Sequence, residues 1–131
     1  MTNKVAILVG VVGILFTLVG IGLVEGAFLK DTPLSLDEFT FAWVVAPITL
    51  LALACAAEAG HGGSNVEKTA LGAAVLSAIS AFYFFFMFVA DARWRSKNPS
   101  QFDNLMLSGH IFLFVGQALC LGSSIALLAR H

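Results

Sequence analysis

Few side chains in this sequence could do chemistry, and the histidines come first. Of three in 131 residues, His61 lies in a glycine-rich turn, His131 ends the chain, and only His110 sits inside an apolar run. An ionisable residue in such a run is a functional-site candidate by default. For an imidazole the chemistry would be haem ligation, or a hydrogen bond to a quinone, a pigment or a lipid headgroup. A bis-histidine haem needs two imidazoles at matching depth on facing helices. His61 and His110 stand at opposite ends of their runs, separated by roughly 20 Å or more at helical rise, so one haem cannot use both. Met87, at a depth similar to that of His110, is the axial partner that remains, and Tyr83 is within reach as a hydrogen-bonding neighbour. His110, Met87 and Tyr83 therefore form the candidate contact set for quinone, haem or lipid. Bound lipid is expected, and no haem or quinone held by this chain alone.

The carboxylates point away from coupled transport. Such transporters place an acid or a broken helix near the membrane midplane, whereas Glu25, Asp37, Glu38, Glu58, Glu67 and Asp91 all stand at the edges of apolar runs. In length and number of apolar runs the chain resembles the small multidrug transporters. These carry a glutamate within their first span, and Val5 to Val24 has none. Gln117, Pro47 and Ser77 are what could line a path in a small homo-oligomeric transporter or channel. An enzyme is not expected, because there is no nucleophile–base pair, metal-ligand cluster or phosphate loop. The turn with Glu58, His61 and Glu67 offers a single imidazole on a flexible glycine-rich segment. Cys55 and Cys120 lie in apolar runs, where cysteine behaves as a small hydrophobe. A net charge of −1 leaves no basic surface for nucleic acid.

The elements that would position these groups are apolar helices. The chain is 59% hydrophobic and 11% charged, against about 25% charged in soluble domains, and its mean hydropathy is +0.92. Thr69 to Ala90 contains no charged residue and would cover roughly 33 Å as a helix, enough for a hydrocarbon core of about 30 Å. Four such stretches predict an all-α integral membrane protein, a single up-down bundle with short loops and spans at about 5–24, 36–58, 65–90 and 105–129. The first run is long for a signal-peptide core and lacks a clean cleavage site, so it reads as a retained span. Ser35 with Glu38, flanked by Leu34 and Phe39, reads as a capping box and hydrophobic staple. Ser64 with Glu67 forms a second box after the three-glycine turn, making spans two and three a tight hairpin. Pro33 and Pro99 interrupt the outer connections, and Pro47 should kink span two.

Small residues mark where helices can approach closely, which in lipid matters more than hydrophobicity. Gly10, Gly13, Thr17 and Gly20 share one face of the first run, with Gly22 and Gly26 forming a GxxxG at its exit. Gly109, Gly116 and Ser123 recur every seven residues in the last run. Ala52 and Ala56 are expected to pack on Ala70 and Ala74 across the hairpin. Phe82, Phe84, Phe85, Phe86 and Phe88 cannot all face one core, because consecutive residues point around a helix. This run, continued by Arg93, Trp94, Arg95 and Lys97 at headgroup level, is the expected lipid or partner contact. The same basic cluster tips the orientation towards outside termini. The expectation is a non-catalytic accessory subunit of a larger membrane complex, an energy-converting one (respiratory or photosynthetic), in a bacterial inner or organellar membrane. Its partners would be other membrane subunits and lipids, or copies of itself. A quinone- or haem-contacting anchor using His110 is the other alternative.

Overall fold

The structure, a computed structural model, describes the backbone of residues 3–31, 38–60, 64–97 and 104–129. Side chains are described within 4–24, 44–60, 66–97 (91, 94 and 95 excepted) and 107–129. Four helices account for this backbone apart from Gly60: α1 Asn3–Asp31, α2 Glu38–Ala59, α3 Ser64–Lys97 and α4 Asn104–Ala129. There is no strand among the described residues. α1, α3 and α4 are long and apolar enough to cross a membrane, and α2 carries a shorter apolar stretch, Val44–Ala59.

Two helices run beyond the apolar stretches that announce them. α1 continues through Glu25, Lys30 and Asp31, and α3 continues through Asp91 to Lys97. Hydropathy marks where an apolar environment can end, but Glu, Lys, Arg and Ala are good helix formers and do not stop a helix. The first residues that would are Pro33 and Pro99, which lie outside the described residues. α2 passes through Pro47 without interruption, although proline has no N–H for the carbonyl of residue 43. At its end the Gly60 N–H donates to the Ala56 carbonyl at 3.0 Å. Leu34, Ser35, His61 and His131 lie outside the described residues, as do the side chains of Phe39 and Ser64.

The bundle is built around α4. α1 packs along one side of it and α3 along another, α2 packs on α3, and α1 barely touches α2. The spatial order is therefore α1–α4–α3–α2. α1 buries one narrow stripe, Ala6, Gly10, Gly13, Thr17, Gly20 and Val24, stepping by four and three residues as a heptad seam does. α4 buries three such series: Gly109, Gly116 and Ser123; Leu113, Cys120 and Leu127; His110, Gln117 and Ser124. One apolar cluster joins Ala6, Ile48, Leu51, Ala54, Cys55, Ala70, Ala73, Cys120 and Leu127. A second, towards the other end, joins Val24, Val44, Phe84 and Leu113.

The inward face of α2 differs from the expected one. Ala52 and Ala56 are exposed, and Val44, Pro47, Ile48, Leu51, Ala54 and Cys55 are buried instead. Ala70 and Ala74 of α3 are buried, with the Leu51 and Cys55 face rather than Ala52 and Ala56 turned inward. A helix rich in alanine can present either phase. Here the bulky Leu51 and Ile48 gain many close packing contacts inside the bundle, and the small alanines beside them give up few by facing out.

Candidate functional site

The seam between α1 and α4 is closed by glycine. The helices run antiparallel, and a Cβ added at Gly13 would lie 2.9 Å from the Cys120 amide nitrogen and 2.9 Å from the Gly116 carbonyl oxygen. At Gly20 it would lie 2.8 Å from the Leu113 nitrogen and 2.9 Å from the Gly109 carbonyl oxygen, and at Gly116 it would meet Thr17. These are backbone atoms, which cannot swing aside as a side chain can. At Gly10 the nearest neighbour is the Ser123 hydroxyl, which itself donates across the seam to the Ala6 carbonyl at 2.6 Å. Gly22 faces away, with nothing within 4 Å, so the exit GxxxG takes no part through that residue.

Between the two apolar clusters lies a polar layer. The Gln117 amide Nε2 donates to the Thr17 hydroxyl at 3.1 Å, joining α4 to α1. Thr17 in turn donates to the Gly13 carbonyl at 2.8 Å. Ser77 of α3 belongs to the same level: two helical turns along each antiparallel helix from the Phe84–His110 contact lead to Ser77 and Gln117. Both are fully buried, yet the Ser77 Oγ and the Gln117 Oε1 have no hydrogen-bond partner. One is a potential donor and the other an acceptor. One heptad further, Ser124 turns its hydroxyl back onto the Cys120 carbonyl at 2.8 Å. Successive members of the His110, Gln117 and Ser124 series are about 10 Å apart along α4. That is too far for a continuous hydrogen-bonded chain of side chains.

His110 is an interior residue, 4% exposed. The Phe84 ring stacks on the imidazole, with centroids 6.2 Å apart and planes inclined by 28°. Tyr83 turns outward, 45% exposed, its ring edge-on to Phe84 at 5.2 Å. Met87 is half-buried. The proposed contact set is thus divided, with His110 enclosed in the bundle and Tyr83 on its surface. No group of three or more metal-ligating side chains occurs among the described residues.

The phenylalanine run divides in the same way. Phe84, 2% exposed, lies inside with Ala70, Ser77 and Ala81, the residues that share its helix face. This corrects its expected outward position, and Phe88, one turn on, is half-buried. Phe82, Phe85 and Phe86 are exposed with Tyr83, and Phe82 is 66% so. The exposed rings brace one another. Phe82 and Phe86 meet edge-on at 4.9 Å, Phe85 and Phe86 at 6.4 Å, and Phe85 rests on Phe114 of α4 at 5.7 Å. Arg93 and Lys97 are exposed, whereas the side chains of Trp94 and Arg95 lie outside the described residues. Searches with known family models, among curated proteins and among solved structures found no match to the chain.

Proposed function

We propose that this chain is a four-span, non-catalytic subunit that packs laterally within a larger membrane assembly. The observation that carries the reading is the braced aromatic face of α3. Phe82, Tyr83, Phe85 and Phe86 are exposed there, with Phe86 meeting both Phe82 and Phe85, while the opposite face of the same helix is anchored in the bundle. Aromatic anchors of this kind offer a large contact area with little side-chain entropy to lose. The interior favours a packing role too. Thr17, Ser123 and Ser124 hydrogen-bond within or between helices, and His110 is covered by a ring. An energy-converting complex is the home that small size and minimal loops favour. Gentle extraction followed by mass spectrometry tests the reading. The expected result is a defined, stoichiometric membrane partner that F82A/F85A loses while the chain stays folded. Recovery of the chain alone, or only as self-oligomers, overturns it.

A second reading, a small homo-oligomeric transporter or channel, is favoured by one observation, the unpartnered Ser77 Oγ and Gln117 Oε1. A polar path would wet this layer. S77C in a background with Cys55 and Cys120 replaced would then react with a membrane-impermeant maleimide. No reaction in intact vesicles, labelled from either side, removes this alternative.

A further inference from the structure

The outer face of α3 is a single stripe with a cation at each end. Lys68, Leu71, Val75, Ile79, Phe82, Phe86, Ala90, Arg93 and Lys97 follow one another at spacings of three and four residues, and all are exposed. Its apolar part, Leu71 to Ala90, rises about 29 Å, close to the roughly 30 Å of a bilayer hydrocarbon core. Arg93 then stands about 5 Å beyond that part and Lys97 about 10 Å beyond it. These are the depths of a phosphate and of an outer headgroup, and both side chains have stems long enough to adjust. At this end the surface is hollowed into a groove of about 370 Å³ lined by Phe86, Val89, Ala90, Arg93 and Lys97.

We propose that this groove is a binding site for an anionic phospholipid. Ala90 and Val89 leave room for the upper part of an acyl chain, and the braced Phe86 ring forms a wall beside it. Arg93 can offer its planar fork to two phosphate oxygens, a geometry an ammonium lacks. Lys97, one turn further out, meets the second polar group of the headgroup. A glycerol or serine carboxylate is accepted there, whereas the trimethylammonium of a choline lipid is repelled. Charge complementarity and the matched length of the apolar stripe favour a lipid over a protein segment in this groove. The groove adjoins the partner contact proposed above, since Phe86 braces Phe82, but its cations and its hollow lie beyond that contact and lipid binding there does not depend on the partner.

Native mass spectrometry of the delipidated chain with equimolar phosphatidylglycerol and phosphatidylcholine of identical acyl chains provides the test. Each basic side chain near the surface is worth about a fivefold preference, so the anionic lipid should be retained at least tenfold over the choline lipid. R93Q/K97Q should bring the two lipids to parity, and R93K/K97R should keep most of the preference. A90F leaves both cations in place and fills the groove, so it should weaken retention of both lipids. Parity in the unaltered chain overturns the proposal, as does a preference that survives R93Q/K97Q or retention indifferent to A90F.

Discussion

At the scale of single residues, the polar layer between the two apolar clusters separates groups that matter from groups that are only present. The Thr17 hydroxyl accepts a hydrogen bond from the Gln117 amide and donates its own to the Gly13 carbonyl. Interhelical hydrogen bonds in membranes average about 0.6 kcal/mol and reach about 1.7. Leaving a buried partner unpaired costs more, about 1 to 3 kcal/mol. T17V should therefore destabilise more than Q117L, because it strands the Gln117 amide, and Q117L in the T17V background should recover part of the loss. Unfolding by a denaturing detergent, followed by helical circular dichroism, measures all three variants. Equal losses from the single variants, adding in the double, would mean that the bond is not the coupling element. Ser77 gives the complementary case. Its hydroxyl is buried without a partner, so S77A should be neutral or stabilising by up to about 1 kcal/mol. A clear destabilisation in the same assay would show that the hydroxyl does bond to something in solution.

At the scale of elements, the glycines fall into two groups that composition alone cannot separate. Gly13, Gly20, Gly109 and Gly116 abut backbone of the facing helix, whereas Gly22 and Gly122 have nothing within 4 Å. G13A or G116A must push α1 from α4 and should cost about 2 kcal/mol, within the range for overpacking. G22A and G122A should be neutral or stabilising by up to about 1 kcal/mol, the helix-propensity gain. The same unfolding assay ranks them, and a similar loss at Gly22 and Gly116 would refute the close seam. The seam was legible in the sequence because small residues at period seven on two runs leave little else for those faces to do. The phase of α2 was not. Ala52 and Ala56 look as packable as Ala54 and Cys55, and the burial of Leu51 and Ile48 decides between them. Nor was the inward turn of Phe84 visible within a run of phenylalanines, where only the phase shared with Ala70 and Ser77 picks it out. The uncharged runs end at Val24 and Ala90, as the spans read from the sequence do, whereas the helices continue to Asp31 and Lys97 because the nearest prolines come several residues later.

At the scale of the whole molecule, the order α1–α4–α3–α2 makes the first and last helices each other's main partner. α1 spends most of its buried stripe on α4, with Gly10 also meeting Cys55 of α2 and Ala6 and Val24 joining the two apolar clusters, and only 28% of its apolar window is buried at all. Its attachment to the bundle is therefore narrow, close and specific, held by backbone contact and by the Ser123 and Gln117 bonds. The covalent link from α1 to α2 contributes little to this packing, since those two helices barely meet. Residues 1–33 and 34–131, produced as separate polypeptides in the same cells, should then reassemble. The connection raises the effective concentration of one piece beside the other. Affinity capture of a tag on the longer piece should recover the shorter one at about equal stoichiometry from mild detergent. G13A in the short piece or G116A in the long one should reduce that recovery severalfold, and G22A should leave it unchanged. Failure of the unaltered pieces to associate would mean that the seam needs the connection to form. Association indifferent to G13A and G116A would move the contact elsewhere on α1, to the exposed face with Leu8, Leu15 and Leu18.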